Sequence, residues 1–395
     1  MPLEGYRILD LSIWLTGAGA TGHLADLGAD VIKIESPTRP DPARNAPSPV
    51  LLELCNRNKR AITLNLKSTE GRRIFYRMVE SADVVAQNLR PGVAARLGVE
   101  HATLLKHNPG IILASFSGFG SKGPEAESGA FDMIGQARSG LMDVLSDHRP
   151  PNDVRYIGPI GLADQNGAMT FAFGILAALA SRAIDGVGQH VEVSHLSALM
   201  TLQTLPLHTY LMEGGELPRP PDRTKEKEPL GNIYEAGDGR WIAISVALAD
   251  ADKYWPDFCD AVELSDLKTD PRYSKGPARS KNSESLIAIL DRQFATRTAD
   301  EWMQRLRALH LIVSKVQDYR DLITDPQVEA NAYLQTVEHP TLGQKRVLSP
   351  PVAFSATKPR YRSAAPSLGQ HTDEILQEHG FSPQEVERFR ADGVV

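Results

Sequence analysis

The sequence predicts an α/β fold built around a parallel β-sheet that is covered by helices. Short apolar segments typical of strands alternate with helical segments through the first half of the chain, and strand–helix–strand units of this kind form parallel sheets. The chain has 395 residues, which is about two to three times the usual length of one domain. Proline and charged residues become frequent near residue 215. We therefore expect a second, smaller domain in the middle of the chain.

The predicted elements of the sheet follow one another in a regular order. Apolar runs bounded by glycine or polar residues predict strands at 7–12, 29–35, 60–66, 83–89, 110–120 and 188–194. Helices are predicted at 19–28, 68–82, around 132–143 and from near Asp164. Because a Ser/Thr followed by Glu is typical of a helix start, the helix at 68–82 has the best-marked N-terminus.

The second half of the chain has a different pattern. Residues 216–229 are rich in proline and charge and predict a linker or an exposed loop. A β-hairpin at 232–246 follows, and helices are predicted at 251–262, 283–297 and 299–309. From about residue 335 the pattern predicts a strand pair and then two short helices that each end at glycine.

Composition excludes several classes of protein. The chain is 42% hydrophobic and 23% charged, as is usual for soluble globular proteins. Its 43 basic and 49 acidic residues give a net charge of −6, which argues against binding to nucleic acid or to an anionic membrane. The two cysteines, Cys55 and Cys259, are far apart and form no metal-binding pattern. We expect no metal site.

Neither a signal peptide nor a membrane span is predicted. The N-terminus has no basic segment followed by an apolar core. The longest apolar run, 168–180, has 13 residues, whereas a membrane span needs roughly 20. A buried helix explains this run better, and we expect a cytoplasmic protein.

A glycine motif near the N-terminus has two interpretations. Gly17, Gly19 and Gly22 form a GxGxxG pattern between a predicted strand and a predicted helix, and Glu35 ends the next strand. This arrangement is typical of a dinucleotide site, where glycines let the backbone approach a pyrophosphate. Four residues, 13–16, separate the strand from the first glycine, however. We therefore favour the second interpretation, close packing between the helix and its neighbours.

Asp164 also has two interpretations. It lies near the start of a long apolar helix and between Gly161 and Gly167. Aspartate is a favoured N-cap, which stabilises a helix by about 1 kcal/mol, and spacing alone favours this role. The alternative is an accessible carboxylate nucleophile stabilised by the helix terminus.

Two further groups of residues receive simpler interpretations. His195 follows a predicted strand, but no third residue completes a catalytic pattern, and we predict a structural role. Arg57, Lys59 and Arg60 form a basic cluster, which is typical of a solvated surface and would also suit a ligand rich in phosphate.

Several blocks of sequence, taken together in order, resemble one family. These blocks are LADLGADVIKIE, NRNKRAITLNLKSTEGR, ADVVAQNLRPGVAARLGV, NPGIILASFSGFGSKGP, FDMIGQARSGLM, ASRAIDGVGQHVEVS and LGQHTDEIL. They closely resemble the class III (family III, CaiB/BaiF-type) CoA-transferases, the group that contains formyl-CoA transferase, carnitine CoA-transferase and α-methylacyl-CoA racemase. The resemblance extends from about residue 3 to the C-terminus and is densest over residues 1–200.

The resemblance implies a particular domain organisation. A large Rossmann-like, CoA-binding domain is expected from both chain ends, residues 1–215 and 330–395, with a smaller α+β domain inserted at 225–325. It also implies a homodimer whose two subunits form interlocked rings. In this family the segment that matches LADLGADVIKIE does not bind a nicotinamide, so the resemblance rules against the dinucleotide interpretation.

The resemblance also implies the site residues. Asp164 corresponds to the catalytic aspartate of the family. Contacts with CoA are expected from residues in four matching segments: Leu15, Leu64, Lys67, Asn88, Leu89, Arg90, Arg96, Ser117 and Phe119. Among these, the lysine and the two arginines supply cations suited to the phosphates of CoA.

The mechanism that the resemblance implies is covalent. The carboxylate of Asp164 attacks the donor thioester and releases CoA thiolate, which then attacks the aspartyl carbonyl to give an aspartyl-CoA thioester. An acceptor carboxylic acid takes the CoA through a second anhydride. Backbone amides near Asp164 and in glycine loops are expected to stabilise the oxyanions, and no metal is needed.

The sequence departs from the family at informative positions. Phe131 occupies the place of the histidine that acts as an acid–base group in the racemases, so transfer is favoured over racemisation. Leu15 replaces a glutamine of formyl-CoA transferase, and residues 215–260 contain no run of glycines. Thr16-Gly17-Ala18 replaces the usual Ala-Gly-Pro. We expect an acceptor with apolar surface rather than oxalate.

Two other functions remain open at this point. The protein could be an acyl-CoA racemase or isomerase, or a non-catalytic protein that binds acyl-CoA. The presence of Asp164 argues against the second of these.

Overall fold

The computed structural model describes residues 1–146, 154–158, 160–216, 222–246 and 250–395. The chain divides into two compact units. The large unit consists of Met1–Pro218 and Ala332–Val395, and the small unit consists of Arg219–Asn331.

The large unit is built on a six-stranded parallel sheet with the order β3-β2-β1-β4-β5-β6. The chain moves outward from β1 in one direction and then returns to build the other half, beginning at β4. This reversal of strand order is a topological switch point, where doubly wound proteins bind ligands beyond the carboxyl ends of the strands. The strands are β1 Arg7–Asp10, β2 Asp30–Glu35, β3 Arg60–Thr63, β4 Val84–Gln87, β5 Ile112–Ser117 and β6 His190–Ser194.

The remaining strands form two antiparallel sheets. In the small unit, β7, β8 and β9 pair in that order, and in the large unit β10 pairs with β11. The predicted hairpin and the predicted C-terminal strand pair are therefore confirmed. These strands are β7 Ile233–Glu235, β8 Trp241–Ile244, β9 Val313–Lys315, β10 Leu334–His339 and β11 Gly343–Leu348.

Helices cover the sheets in both units, with α11–α16 belonging to the small unit. In chain order they are α1 Thr16–Asp26, α2 Val50–Asn56, α3 Thr69–Val79, α4 Val93–Leu97, α5 His101–Leu104, α6 Asp132–Arg138, α7 Leu141–Val144, α8 Leu162–Asp185, α9 His195–Leu202, α10 Thr204–Glu213, α11 Ala251–Ala261, α12 Gly276–Lys281, α13 Ser283–Phe294, α14 Ala299–Arg307, α15 Tyr319–Leu322, α16 Pro326–Ala330, α17 Thr372–Glu378 and α18 Pro383–Ala391.

The six-stranded sheet is covered on both faces because successive residues of each strand point to opposite sides. Ile8 of β1 packs with α1 and α8, whereas its neighbour Leu9 packs with α3, α17 and α18. The second of these cores unites residues from both ends of the chain. The C-terminal helices thus complete the large unit rather than forming a separate domain.

The glycines of the GxGxxG motif lie within α1 and permit close packing. A Cβ atom at Gly22 would lie 2.7 Å from the carbonyl oxygen of Cys55, and one at Gly17 would lie 2.6 Å from Cβ of Ser12. Glu35 forms an ion pair with Arg44. The packing interpretation is confirmed, and the dinucleotide interpretation is wrong.

Helix α8 is longer than the apolar run in the sequence suggests. By length and composition alone it could cross a membrane, since its most apolar window has a mean hydropathy of 1.6. One face packs on α1 and on the sheet, as expected for a core helix. The other face carries an exposed apolar row, which we call the α8 stripe and define as Met169, Phe173 and Ile184.

The small unit has its own aromatic core. Trp255, Phe258, Phe294 and Trp302 are almost completely buried. Arg279 is also buried, where its guanidinium lies over the ring of Trp255 and pairs with Asp252. The helices predicted at 251–262, 283–297 and 299–309 are confirmed as α11, α13 and α14. Part of the predicted linker, 217–221, lies outside the described residues.

Candidate active site

A cleft of about 590 Å³ opens at the switch point of the parallel sheet. Its walls come from the segments that follow β1, β4 and β5, together with the start of α6, α8 and α9. Aromatic and aliphatic side chains make up much of the lining, and Asp164 and His195 lie among them. The position agrees with the general location of ligand sites in doubly wound folds.

The segment after β1 reaches the cleft in an unusual backbone conformation. Trp14 has a φ of 60°, which is uncommon for a bulky residue and persists only where surrounding contacts enforce it. Its amide donates to Asp41 Oδ1 at 3.1 Å. The preceding residue, Ile13, exchanges two hydrogen bonds of 2.8 Å with the side chain of Asn88. Asn88 therefore joins the segment after β1 to the segment after β4.

A group of buried charges lies beneath this segment. Lys33 Nζ donates to Asp41 Oδ2 at 2.8 Å and to the carbonyl oxygen of Ser12 at 3.0 Å. Lys59 Nζ donates to Asp10 Oδ2 at 2.7 Å. The side chains of both ion pairs are completely buried. We call these four residues, Asp10, Lys33, Asp41 and Lys59, the buried charge cluster.

Mutual attraction opposes the effect of burial within this cluster. Burial alone would raise the pKa of Asp10, but Lys59 and Lys33 hold it below its ordinary value. Burial likewise opposes the charge of Lys33, yet Asp10 and Asp41 raise its pKa. Burial, together with the like charge of Lys33, lowers the pKa of Lys59 despite the attraction of Asp10. Two carboxylates and two lysines thus compensate one another in a dry environment.

The N-cap interpretation of Asp164 is wrong. Gly161 is the N-cap of α8, and Asp164 lies in the first turn of the helix. Its carboxylate oxygen Oδ1 accepts hydrogen bonds from Thr16 Oγ1 at 2.6 Å and contacts His195 Nε2 at 2.9 Å. The side chain is 19% exposed. The carboxylate is therefore held by two side chains from other elements and still reaches the cleft.

Asp132 occupies the backbone amides at the start of α8. Its Oδ1 accepts from the amides of Ala163 at 2.6 Å and of Asp164 at 3.2 Å. Gln136 fixes the other carboxylate oxygen through a hydrogen bond of 2.7 Å. The expectation that amides near Asp164 stabilise oxyanions is therefore wrong for these two amides, because Asp132 already uses them.

His195 contacts Asp164, which the prediction of a structural role did not include. It is the first residue of α9 and is 5% exposed. Its ring lies edge-to-face with Phe116 at a centroid distance of 4.8 Å. Among the described residues, its Nδ1 has no hydrogen-bond partner. The signal in the sequence was only its place directly after a strand of the parallel sheet.

The structure brings some of the predicted CoA-binding residues to the cleft and not others. Those that line it are Asn88, Leu89, Arg90 and Ser117. Those outside its lining are Leu15, Leu64, Lys67, Arg96 and Phe119. The side chain of Leu64 belongs to the hydrophobic core and is 1% exposed. The expected contact between Leu64 and CoA stays a prediction.

Some of the basic side chains are held in ion pairs within the protein, and others are not. Arg57 pairs with Asp26, Arg60 pairs with Asp30, and Lys59 belongs to the buried charge cluster. Both interpretations of the basic cluster, a solvated surface and a phosphate site, are therefore wrong. By contrast, Lys67, Arg90 and Arg96 are exposed and form no ion pair with any described residue.

Cysteine and metal chemistry find little support in the described part of the chain. Burial raises the pKa of the thiols of both Cys55 and Cys259 to about 12, so neither is a reactive thiolate at neutral pH. Within the described ranges, no group of three or more His, Cys, Asp or Glu side chains could hold a metal ion. The expectation of a metal-free site stays a prediction.

The fold and the cleft define a doubly wound α/β protein with an acidic residue at its switch-point site. The sequence model of CoA-transferase family III matches residues 3–372. The chain therefore belongs to CoA-transferase family III and is a CoA-transferase.

Three similar proteins illustrate this relationship. An acyl-CoA transferase of Fusarium pseudograminearum is 33% identical and aligns over 100% of this chain and 88% of its own. A cinnamoyl-CoA:phenyllactate CoA-transferase of Clostridium sporogenes is 30% identical over 98% of this chain and 96% of its own. The crystal structure of a CAIB/BAIF family protein from Brucella suis has a TM-score of 0.83 at 27% identity, covering 96% of this chain and 99% of that one.

Removing one charge of the buried cluster should destabilise the protein strongly. Lys33→Met leaves the carboxylate of Asp41 buried without its partner, so the free energy of unfolding should fall by about 3–5 kcal/mol. Urea denaturation followed by circular dichroism measures this change.

Two further variants test whether the loss comes from the buried ion pair. Arg73→Met breaks an exposed pair with Glu70 and should cost less than about 1 kcal/mol. Lys33→Met combined with Asp41→Asn should recover part of the loss. Equal destabilisation by Lys33→Met and Arg73→Met would contradict the importance of the buried cluster.

Proposed function

We propose that the protein moves CoA from a donor thioester to a carboxylic acid through covalent aspartyl intermediates on Asp164. Membership of the family supports exchange of CoA between an acyl-CoA and a carboxylate. The observation that carries the covalent route is the carboxylate of Asp164, which lines the cleft, has no capping role and is partly exposed. A carboxylate so placed is able to attack an electrophile bound in the cleft.

The proposed reaction has four balanced steps. Asp164 attacks the carbonyl carbon of the donor, the C–S bond breaks, and a mixed anhydride and CoA thiolate form. The thiolate attacks the aspartyl carbonyl, expels the donor acid and leaves aspartyl-CoA. The acceptor carboxylate attacks this thioester and releases the thiolate again. The thiolate finally attacks the acceptor carbonyl of the second anhydride, which yields the new acyl-CoA and restores Asp164.

CoA would lie along the carboxyl ends of the parallel strands. Arg90 lines the cleft, and Lys67 and Arg96 are exposed cations of the same unit. None of these three forms an ion pair with a described residue, so their charges remain available to phosphates. Asn88 and Ser117 would contact the pantetheine and acyl portion beside them.

The lining of the cleft favours an acyl group with apolar surface. Trp14 and Phe131 meet edge-to-face at a centroid distance of 6.3 Å, and Ile134 lies beside them on the cleft wall. Aromatic and aliphatic walls gain stability when an apolar substrate displaces water. The relative from Clostridium sporogenes is named for two aromatic substrates. We therefore propose a branched or aromatic acid as acceptor, rather than oxalate.

We also propose that two copies of the chain associate. The α8 stripe is exposed, and α10, with the apolar sequence TLPLHTYLME, has no buried residue. Exposed apolar surface of this kind usually marks an interface. A second copy of the chain is the proposed partner, in agreement with the homodimer that the family resemblance implies.

Replacing the proposed nucleophile should abolish transfer without abolishing the binding of CoA. In Asp164→Asn the rate of CoA transfer should fall by roughly 10⁴-fold or more, because the amide cannot form an anhydride. To test this, the protein is mixed with acetyl-CoA, succinyl-CoA or cinnamoyl-CoA and the reaction is quenched with acid. The mass of the intact chain is then measured by mass spectrometry. Wild type should carry one CoA, and the fragment that contains Asp164 should retain it.

The control for this experiment lies on the same helix. Asp185→Asn removes an exposed carboxylate at the far end of α8 and should leave both the adduct and the rate unchanged. Deuterium uptake at the α-carbon of an acyl-CoA without any acceptor acid would instead support isomerisation. Unaltered activity of Asp164→Asn would refute the covalent mechanism.

Loss of a free cation should weaken the binding of the acyl-CoA. Arg90→Met should raise the KM for the donor about tenfold with little change in kcat, since a hydrogen bond to a charged group contributes roughly 1.5–3 kcal/mol. Lys106→Met, at an exposed position outside the cleft lining, serves as control. A KM unaffected by Arg90→Met would remove Arg90 from the proposed CoA site.

A charge in the α8 stripe should disrupt the proposed dimer. Phe173 is 72% exposed, and Phe173→Glu would bury an unpaired carboxylate in the interface, which should weaken association by roughly 10²-fold or more. Light scattering after size exclusion measures the mass of the particle. Tyr319→Glu changes an equally exposed aromatic residue of the small unit and should leave the mass unaltered. A wild-type monomer would contradict the proposal.

A further inference from the structure

We infer that Thr16 and His195 form the oxyanion-stabilising pair for the aspartyl carbonyl, so that Oδ1 of Asp164 becomes the carbonyl oxygen and Oδ2 is the nucleophile. This inference rests on the proposed covalent mechanism. Both side chains approach the same carboxylate oxygen, Thr16 Oγ1 at 2.6 Å and His195 Nε2 at 2.9 Å. The two partners thereby distinguish the two oxygens of one carboxylate.

Backbone amides at the start of α8 would be the usual alternative oxyanion site, but two of them already donate to another carboxylate. The N-terminus of a helix often supplies free amides to a developing negative charge. At the start of α8 the amides of Ala163 and Asp164 donate to Asp132 instead. The side-chain donors Thr16 and His195, which already contact Oδ1, are placed to stabilise the aspartyl oxyanion.

The surroundings of His195 select the tautomer that donates. Its Nδ1 is buried and has no hydrogen-bond partner among the described residues. A carboxylate oxygen accepts hydrogen bonds and donates none, so a bare Nε2 at 2.9 Å would bring two lone pairs into contact. The proton therefore belongs on Nε2, where it is directed at Asp164 Oδ1. Thr16 Oγ1 lies 3.3 Å from the same nitrogen, so its hydroxyl proton points towards the carboxylate.

Both donors are fixed before any substrate binds. Thr16 is the first residue of α1 and is 4% exposed. His195 is wedged between Phe116 and Gly135, where an added Cβ would lie 3.0 Å from Cβ of the histidine. Donors that need no rearrangement stabilise a developing charge most effectively.

The pair acts on two of the four steps. When CoA thiolate attacks the aspartyl carbon of the first anhydride, the carbonyl π electrons move onto Oδ1 and the two donors stabilise that charge. When the tetrahedral species collapses, the bond to Oδ2 breaks and the donor acid leaves. Attack of the acceptor carboxylate on aspartyl-CoA places charge on Oδ1 again. In the first and last steps the tetrahedral oxyanion forms on the substrate carbonyl instead, and the two donors contact only the carboxylate of Asp164, which is consumed in the first step and released in the last.

The decisive experiment compares variants that remove a donor with variants that keep one. Thr16→Val and His195→Leu should each slow formation of the CoA adduct on Asp164 by about 10²–10³-fold, with the dissociation constant of the acyl-CoA unchanged. Thr16→Ser and His195→Gln retain a hydroxyl and an N–H donor and should stay within about tenfold of wild type. The acyl-CoA used is whichever of acetyl-CoA, succinyl-CoA and cinnamoyl-CoA gives the adduct in wild type.

A spectroscopic measurement separates this function from mere support of the fold. Hydrogen bonds to the thioester carbonyl lower its stretching frequency, so infrared difference spectra of aspartyl-CoA should show a higher frequency in Thr16→Val and His195→Leu than in wild type. The controls are Thr170→Val, which removes a hydroxyl that donates to the carbonyl oxygen of Asn166 in its own helix, and His190→Leu on β6. Both should match wild type in rate and frequency.

The outcomes distinguish the inference from the proposed function. If wild type forms no CoA adduct with any of the three donors, the covalent mechanism and the inference fail together. If wild type forms the adduct and Thr16→Val and His195→Leu form it at the same rate and carbonyl frequency, only the inference is overturned. If His195→Leu does not fold, the rates and carbonyl frequencies of Thr16→Val and His195→Gln still test the inference.

Discussion

The conformation of the segment after β1 depends on the buried charge cluster. Asp41, neutralised by Lys33, receives the amide of Trp14, and the same lysine binds the carbonyl oxygen of Ser12. Desolvating four charges is costly unless each is paired and fully hydrogen-bonded. The main effect of the cluster is therefore to fix the geometry of the segment after β1, rather than to stabilise the fold. That geometry sets the left-handed backbone of Trp14 and, two residues later, the hydroxyl of Thr16 at the start of α1.

A second constraint at the site is the use of Asp132 at the start of α8. A carboxylate in the first turn of a helix is normally drawn to the free amides there. Asp132 comes from α6 and accepts from the amides of Ala163 and Asp164. Asp164 is thus released from capping and turns towards Thr16 and His195. Asp132 satisfies the amides at the start of the helix, and the carboxylate of Asp164 remains available for the proposed reaction.

Much of the sheet could be predicted from the sequence, because apolar runs and glycines act locally. All six strands of the parallel sheet correspond to predicted segments, as do α3 and α8. Short or weakly amphipathic helices such as α2, α9 and α10 were missed, since their residues do not alternate between buried and exposed positions in a clear helical pattern. The glycines of α1 show that a sequence motif alone does not define a function. The role of Gly17 and Gly22 in close packing became clear only from the atoms that surround them.

The contacts of the site could not be predicted in the same way. Thr16 and Asp164 are 148 residues apart, and His195 lies 31 residues beyond Asp164. They meet because β1 is central in the sheet, β6 is at its edge, and α8 packs against α1 between them. The sequence identified Thr16 only as a departure from the family and His195 only as a histidine after a strand. Pairing the two required the order of the strands.

The position of His195 also bears on the choice between transfer and racemisation. Phe131 offers no acid–base group, and His195 places an imidazole at Asp164 from another element. A racemase that uses two bases must hold the α-carbon between them. Here the imidazole and the carboxylate are in direct contact at 2.9 Å, and Thr16 bonds to the same oxygen. No carbon atom fits between them, whereas Oδ1 keeps both donors when it becomes the carbonyl oxygen of the aspartyl group. The arrangement therefore suits charge that develops on the aspartyl group itself, as the proposed covalent CoA transfer requires.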